Sequence, residues 1–315
     1  MKKLLKNSKT VIYAIGLIAI SIFFNHCKDE DNTKPDDAPL EKAKKDFITA
    51  NKPEVKKLTL SLSATGGIDS LDLGKGYKLY AQPGTFLING NPATGNLDVS
   101  ATIVDTKSDM VLGGVSCFGD SGKAIQSSGM LKLVVSQGGT KATIDPAKPL
   151  SIKVPMKGST QTDFKTFRGG SSTSDSSSWV VDDKSRAIPQ NQSYLINSTT
   201  LNWINCDRFY NSPNNVKFDV KLPTGYTNTN SNVYVVFKND HSICRLFGNQ
   251  TSQSFDFGSY KGIPSGTLVK VVVIASQGAQ LQYADQDYTA ATGTVTFTAM
   301  TNTTDAALKT FLNSL

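Results

Sequence analysis

The sequence predicts an all-β protein of two antiparallel, Ig-like β-sandwich domains with a short C-terminal helix. Many short runs alternate apolar with polar residues, as Leu58, Leu60 and Leu62 do among serine and threonine. Glycine-rich turns such as Asn89-Gly90 separate these runs, and a serine-rich segment divides them into two groups. Short strands that are separated by turn residues at this spacing are typical of β-sandwiches.

Residues 1–26 are predicted to be a lipoprotein signal peptide. Four lysines precede an apolar run over residues 11–24, and Cys27 follows soon after it. A basic segment before a short apolar segment is an export signal, and this run is too short for a comfortable membrane span. Cys27 is the predicted lipidation site. His26 replaces the small residue that usually precedes such a cysteine, so a signal peptide that is cleaved elsewhere and an uncleaved anchor remain alternatives.

Residues 27–57 are predicted to be a charged tether. The segment begins with Lys28-Asp29-Glu30-Asp31 and contains one short helical pattern over residues 40–51. The acidic stretch after Cys27 resembles the export tag of Bacteroidota-type surface lipoproteins. That resemblance implies an outer-membrane protein that is lipid-anchored and exposed on the cell surface, with a periplasm-facing location as the alternative.

Residues 58–157 are predicted to form the N-terminal β-sandwich. Its strands are expected at residues 58–62, 77–81, 85–88, 97–105, 110–117, 130–136, 141–144 and 150–154. Residues 158–192 contain a run of serines, which predicts a Ser/Gly-rich linker or a long surface loop. The tandem domain is expected to begin after this segment.

Residues 193–315 are predicted to form the C-terminal β-sandwich and a terminal helix. Strands are expected at residues 193–197, 201–209, 216–222, 232–238, 242–247, 254–257, 267–275, 280–284 and 293–299. Residues 269–274 are nearly all apolar, which indicates a central strand. Thr304 and Asp305 can cap a last helix in which Leu308 and Leu312 share a face.

Two stretches carry a family resemblance. Ala81-Gln82-Pro83-Gly84-Thr85-Phe86 and the strands after it resemble β-sandwich modules of uncharacterised Bacteroidota surface proteins, which are themselves similar to the sandwich of ankyrins and netrin receptors. Residues 201–210, with the sequence LNWINCDRFY, resemble a signature segment of the same group. The resemblance implies architecture and location, and it carries no activity.

The LNWINCDRFY segment admits two interpretations. In a strand, Trp203, Asn205, Asp207 and Phe209 lie on one face, because successive side chains alternate. Under the first interpretation Trp203 and Phe209 fill a core, Asp207 binds turn amides and Arg208 pairs with a carboxylate. Under the second, four residues line a shallow ligand site of the kind that aromatic platforms form for sugars: Trp203, Asp207, Arg208 and Tyr210.

The charge balance does not indicate a nucleic-acid partner. The formal charge is +7, but four of these charges are signal-peptide lysines and no acidic residue precedes Cys27, which leaves +3 on the mature chain. Arginine occurs at only four positions, and no basic stripe with interleaved aromatic residues is present. We therefore expect no nucleic acid among the partners.

Cysteine usage fits an oxidising compartment. With Cys27 acylated, Cys117, Cys206 and Cys244 remain, so at most one intramolecular disulfide forms. Cys206 and Cys244 fall in the second predicted domain on candidate neighbouring strands, and we predict a disulfide between them. Cys117 is then expected to be a buried apolar residue.

Three motifs that look catalytic fail on chemical grounds. Gly119-Asp120-Ser121-Gly122 copies part of a serine-protease motif, but His241, the one histidine outside the signal, lies on the wrong side in chain order. Cys206 and His241 lack an orienting group. Gly122-Lys123 resembles the end of a phosphate-binding loop, but Cys117 and Ala124 occupy positions that need a glycine and a hydroxyl. We expect no enzyme activity and no cofactor.

No metal site is expected, since one mature histidine and scattered cysteines do not supply a zinc ligand set and no acidic loop has calcium-ligand spacing. Asp69-Ser70-Leu71 resembles a short O-glycan acceptor pattern of Bacteroidota envelope proteins, with Ser70 as the acceptor.

The sequence therefore predicts a lipid-anchored binding module for a glycan, the matrix or an envelope partner. The alternative is a structural or accessory subunit of an outer-membrane complex.

Overall fold

The computed structural model describes residues 40–63, 66–157, 162–169 and 178–315, and most of these residues are in strands. The predicted signal peptide, Cys27 and the first part of the predicted tether lie outside the described residues, as does most of the serine run. All-β is confirmed as the fold class: several antiparallel sheets are present, together with a short C-terminal helix.

The described residues between Val55 and Phe209 form fourteen strands, and eleven of these belong to one sheet. Their bounds are β1 Val55–Leu62, β2 Asp69–Gly74, β3 Tyr77–Ala81, β4 Phe86–Ile88, β5 Asn91–Pro92, β6 Gly95–Val104, β7 Ile125–Gln137, β8 Thr140–Lys141, β9 Thr143–Ile144, β10 Leu150–Pro155, β11 Lys165–Gly169, β12 Trp179–Gln190, β13 Ser193–Ser198 and β14 Asn202–Phe209. A separate three-stranded sheet has the order β5-β4-β9.

The large sheet has the order β1-β6-β7-β14-β11-β12-β13-β10-β3-β2, with β8 paired to β7. Its end strands β1 and β2 contact each other, so the sheet curls back on itself. The residues inside form the first core, which includes Leu60, Leu79, Leu131, Ile152 and Ile196. Alternation along each strand supplies this core, because every second side chain of β6 and β10 is buried.

Residues 215–302 form the second group of strands. Their bounds are β15 Asn215–Val216, β16 Asp219–Lys221, β17 Ser231–Phe237, β18 Ile243–Arg245, β19 Phe247–Gly248, β20 Ser254–Asp256, β21 Ile263–Pro264, β22 Leu268–Gln277, β23 Gln280–Thr289, β24 Thr294–Thr296 and β25 Thr301–Asn302. One sheet has the order β18-β17-β22-β23-β25 and another β19-β20-β16-β24. The second core, which includes Val220, Val235, Phe255 and Val271, draws residues from both sheets. The apolar run at residues 269–274 lies in the central strand, as predicted.

Three helices and one further core join the two groups of strands. The helices are α1 Lys42–Asn51, α2 Lys107–Leu112 and α3 Asp305–Asn313. The third core consists of buried residues from both groups and from all three helices: Phe47, Val104, Met110, Val111, Leu112, Val115, Cys117, Ile125, Met130, Phe167, Trp179, Tyr234, Val236, Ile243, Val272, Ile274, Leu281, Leu308 and Leu312. The predicted cap of the last helix is confirmed, since Thr304 accepts a hydrogen bond from the amide of Ala307.

The structure replaces the predicted linker with strands. β11 and β12 occupy much of residues 158–192, and β11 pairs with β14 while β12 pairs with β13. The first sheet therefore continues through the predicted boundary at residues 192 and 193. The segment has a low-complexity composition because of its serines, but Phe167 and Trp179, which lie before and after the serine run, are buried in the third core.

The predicted strand at residues 110–117 is wrong, because α2 lies there. Thr106 accepts a hydrogen bond from the amide of Asp109 at 2.9 Å and caps this helix. Met110, Val111 and Leu112 are all buried. A short apolar run fits a strand and a buried helix equally, and here the preceding cap decides between them.

The C-terminal part of the predicted tether belongs to the folded body. α1 begins and ends close to the predicted helix bounds, and Phe47 is fully buried in the third core. Ser276 donates a hydrogen bond to the carbonyl of Leu40 at 2.7 Å, and Lys44 donates to the carbonyl of Thr229 at 3.0 Å. Burial lowers the pKa of Lys44 to about 8. The described part of the chain contains no helix with the length and hydropathy of a membrane span.

Candidate functional site

The LNWINCDRFY segment forms β14 near the centre of the large sheet. Its faces divide as the alternation predicts. Ile204 and Cys206 belong to the first core, whereas Trp203 and Phe209 pack against the third core. The segment therefore lies between the first and third cores, and its polar side chains differ in burial and in hydrogen-bond partners.

Trp203 is half-buried and firmly held. Its ring meets that of Trp179 edge-on, with centroids 6.1 Å apart and an interplanar angle of 89°. The Nζ atom of Lys132 lies 5.7 Å from the ring centroid. A Cβ atom on Gly169 would lie 2.8 Å from the Cβ of Trp203, so the glycine allows this close approach. The indole N–H donates no hydrogen bond to the described part of the chain.

Asp207 is fully buried, and neither carboxyl oxygen has a hydrogen-bond partner within the described residues. The predicted contact with turn amides is therefore not formed. Burial raises the pKa of Asp207 well above its usual range, and the nearby hydroxyl of Ser127 offsets this only in part. That hydroxyl donates its hydrogen bond to Oδ1 of Asn205 at 2.8 Å. A side chain in this position cannot contact a ligand from solution.

Arg208 and Tyr210 are used within the protein. Nε of Arg208 donates to Oε1 of Gln126 at 2.7 Å, and its guanidinium reaches Asp163 at 3.5 Å, which matches the predicted carboxylate pairing. The hydroxyl of Tyr210 donates to Oδ2 of Asp240 at 2.9 Å. Burial, and secondarily Asp240, raise the pKa of Tyr210.

The four predicted ligand residues therefore do not form one site. Asp207 is enclosed, Arg208 projects to the other face of β14, and the ring of Tyr210 stacks on that of Phe237 at 5.1 Å. Of the four residues, Trp203 is the one that lies beside groove-lining residues, since it pairs with Lys132 and follows Asn202. The structure agrees with the first interpretation of the segment at three positions: Trp203 and Phe209 complete a core, and Arg208 pairs with a carboxylate. It differs at Asp207, which does not bind turn amides.

A β-bulge explains the burial around Asp207. Cys206 pairs with Gly129 and Asp207 with Ser127, so Ser128 is an extra residue in β7. The hydroxyl of Ser128 donates to the carbonyl of Pro155 at 3.0 Å. Next to the bulge, the turn before β18 approaches β7, and the amide of Ser127 donates to the carbonyl of His241 at 3.1 Å.

His241 forms part of this contact between β7 and the turn before β18. Nδ1 lies 3.0 Å from the carbonyl oxygen of Ser127, and buried Nε2 has no partner within the described residues. Burial lowers the pKa of His241, which favours the neutral imidazole. No hydrogen bond joins it to Cys206 or Ser121 within the described chain, and Cys206 belongs to the first core.

The predicted Cys206–Cys244 disulfide is not formed. Both thiols are free and buried, and they lie in different cores, Cys206 in the first and Cys244 in the second. The two strands that carry them are in separate sheets. Cys117 is buried in the third core, as predicted, and burial together with Asp207 raises the pKa of its thiol to about 12.

Asp182, Asp285 and Asp287 have hydrogen-bond or ion-pair partners within the protein. Asp285 and Asp287 both pair with Lys270, at 2.6 and 3.0 Å. Asp182 is buried and accepts a hydrogen bond from Ser185 at 2.5 Å. Within the described ranges no group of three His, Cys, Asp or Glu side chains is arranged to hold a metal. Ser70 is exposed, but it lies in the edge strand β2 and not in a loop.

A partly exposed surface extends from Trp203 across the outer face of the sheet. The pairing register places Lys132 beside Trp203 and Thr102 beside Lys132. Ser100 and the exposed side chain of Val134 form the next row. We call these five residues the Trp203 face. A groove of about 360 Å³ adjoins it, lined in part by Lys132, Val134 and Asn202.

Sequence reasoning identified Trp203 but not its neighbours on this face. The alternation of β6 and β7 was visible in the sequence and assigns Ser100, Thr102, Lys132 and Val134 to the side opposite the core. Which strands lie next to β14 was not visible, because β7 and β14 are far apart in the chain. Comparison of the chain with known protein families and with curated proteins finds no match.

Proposed function

We propose that this protein is a lipid-anchored cell-envelope protein that acts as a non-enzymatic binding module, with the Trp203 face as its contact surface for glycan. The anchor is Cys27, and the location is the outer membrane with exposure on the cell surface. The basic and apolar N-terminal segments and the acidic residues after Cys27 support this proposal. The finer fold assignment, two Ig-like sandwich domains, is proposed with it, and the two-sheet packing around the second core supports it.

The anchor proposal has a geometric consequence. α1 docks on the body, so the tether is shortened to the residues between Cys27 and Leu40. A fully extended residue spans at most about 3.6 Å, and thirteen such steps reach about 47 Å. Leu40, just before α1, therefore stays within about 47 Å of the lipid anchor, a distance that suits a surface-displayed receptor for nearby polymers.

The observation that carries the binding proposal is the fixed indole of Trp203 at the edge of a partly exposed, mainly polar face. An indole presents a large apolar surface and a polar N–H, a combination that is common where ligands bind. The contacts with Trp179 and Gly169 fix the ring before a ligand arrives. Preorganisation of this kind lowers the entropy cost of binding.

Binding of soluble neutral polysaccharides to the detergent-solubilised, full-length protein tests the proposal. The panel is β-glucan, xylan, mannan and starch, and we expect saturable binding of at least one. Trp203→Ala should weaken that binding about tenfold or more, while Trp203→Phe should retain part of it. Phe247→Ala is the matched control, since Phe247 is an exposed aromatic residue in the second group of strands. Unchanged affinity of a folded Trp203→Ala variant would show that this face is not the site.

The alternative function, a structural or accessory subunit of an outer-membrane complex, is favoured by one observation. The third core joins both groups of strands through buried side chains, which suits a rigid spacer. Such a subunit should co-purify with a membrane partner at a fixed ratio after cross-linking and should bind no polysaccharide.

Ser70 remains a proposed O-glycan acceptor, and intact-mass measurement of the native protein and a Ser70→Ala variant tests it.

A further inference from the structure

Lysines gather in a cleft on the side of the molecule where α1 ends. The cleft has a volume of about 240 Å³ and is lined by four lysines and two acids: Lys52, Lys56, Lys75, Lys309, Glu54 and Asp109. These residues come from the end of α1, from β1, from the β2–β3 turn, and from α2 and α3. Folding therefore brings together positive charges from both ends of the described chain.

The charges in the cleft are not balanced by the described residues. Lys75 pairs with Asp109 at 2.8 Å. Lys52, Lys56 and Lys309 have no ion-pair partner among the described residues, and Glu54 is the one remaining acid in the lining. The cleft therefore has a formal excess of two positive charges. Like charges that are held close together destabilise a fold unless an anion offsets them.

Two of the unpaired lysines are held in position by the fold. Lys56 is half-buried on β1, and its Nζ lies so close to Gly74 that a Cβ at residue 74 would be 2.1 Å from it. Gly74 has a φ of +89°, a conformation that favours glycine and leaves this space free. Lys309 is half-buried on α3, which is fixed by Leu308 and Leu312 in the third core.

We propose that this cleft binds a tetrahedral oxyanion, a phosphate or sulfate group, either free or as the monoester of a small organic molecule. Three unpaired ammonium groups match the several acceptor oxygens of such a group, and lysine binds phosphate as a point charge. The volume is below that of a typical drug-sized pocket, which fits a small ligand. Pro53 and Ile103 in the lining offer an apolar wall for the body of an ester.

Isothermal titration of the full-length protein in detergent, at constant ionic strength, tests the proposal. The probes are inorganic phosphate, inorganic sulfate, glucose 6-phosphate and glucose 6-sulfate, with glucose and chloride as controls. We expect saturable binding of the oxyanions and none of glucose. Tighter binding of the esters identifies a monoester ligand, and equal binding identifies the free ion. Raised salt should weaken binding, because the site is open to solvent.

Two variants and one matched control complete the experiment. Lys56→Gln and Lys309→Gln should each weaken oxyanion binding about tenfold, the effect of losing one charge-assisted hydrogen bond. Lys221→Gln makes the same charge change at an exposed position outside the cleft and should leave the affinity unchanged. In the absence of ligand neither cleft variant should lower the melting temperature, because each removes like-charge repulsion.

The proposal is overturned if no oxyanion binds saturably, or if both cleft variants bind as the natural protein does. It stands apart from the glycan proposal, since Trp203 does not line the cleft. Trp203→Ala should therefore leave oxyanion binding unchanged. Polysaccharide binding in turn should survive Lys309→Gln, so that failure of one proposal is distinguishable from failure of the other.

Discussion

Asp207 is buried without a hydrogen-bond partner among the described residues, which is an unfavourable position for a carboxylate. Burial raises its pKa, so the folded state binds the proton more tightly than the unfolded state does. The resulting stability is fully present below the unfolded pKa, about 3.9, and is lost as the pH rises through the folded pKa. At neutral pH the folded protein must keep the proton or accommodate a buried charge.

Asp207→Asn should consequently raise the free energy of unfolding, by about 1 kcal/mol or more at pH 8, because the amide carries no charge. The gain should shrink as the pH falls toward 4. Urea unfolding over pH 4–9 measures it. Asp98→Asn makes the same substitution at an exposed position of β6 and should show no such trend. A gain of Asp207→Asn that does not change with pH would contradict the burial argument.

His241 has the opposite pH dependence. Burial lowers its pKa, so its contribution to stability is present above the unfolded pKa, about 6.5, and is lost as the pH falls below that value and through the lower folded pKa. Both residues adjoin Ser127, Asp207 through strand pairing and His241 through its backbone carbonyl and its ring. Sequence alternation placed Asp207 on the correct face of β14, but nothing in the sequence showed that this face would be covered.

At the scale of elements, the bulge in β7 places a glycine, Gly129, against a buried tyrosine of the first core. Gly129 has a φ of +152°, and a Cβ at this position would lie 1.9 Å from the hydroxyl oxygen of Tyr77. Tyr77 is fully buried in the first core, and its hydroxyl donates to Asp105 at 3.2 Å. The glycine therefore makes room for a buried tyrosine.

Gly129→Ala should lower the free energy of unfolding by about 3 kcal/mol, from backbone strain and from displacement of Tyr77. Tyr77→Phe removes the oxygen that the new methyl group would meet. The double variant should therefore be more stable than the sum of the two single losses predicts, by about 1 kcal/mol. Denaturant unfolding of the four proteins measures this coupling, and additive losses would show that Tyr77 is not the obstacle.

α1 provides the second test at this scale. Phe47 is fully buried in the third core, so Phe47→Ala should lower the free energy of unfolding by about 3–5 kcal/mol. Phe247→Ala, a substitution at a side chain that is 43% exposed, should cost much less. Equal effects of the two changes would mean that α1 is part of a loose tether and does not dock on the body.

Local pattern predicted most strands because the side-chain period of a half-buried strand is visible in the sequence. β3 matches its predicted bounds, and the strongly apolar β22 was also recognised as a central strand. Local pattern failed where the period is ambiguous, as in α2, or where composition hides it, as in β11 and β12. Pairing between distant strands was not predictable, and this pairing creates both the Trp203 face and the lysine cleft.

At the scale of the whole molecule, the third core determines how the two groups of strands behave. It takes buried side chains from α1, α2 and α3 as well as from both groups. We expect thermal unfolding in one transition, with equal calorimetric and van't Hoff enthalpies, because neither group can lose its partner without exposing this core. Two well-separated transitions would show that the groups unfold independently.

The central claim is that a surface-anchored body binds glycan through the Trp203 face. Binding of the fluorescently labelled polysaccharide to intact cells tests it most directly, with antibody staining to measure display of each variant. Cells with the natural protein should bind the label, cells that display Trp203→Ala at the same level should not, and Cys27→Ser, which removes the thiol that carries the lipid, should abolish labelling of intact cells. Equal labelling of natural and Trp203→Ala cells, or binding that appears only after lysis, would contradict the account.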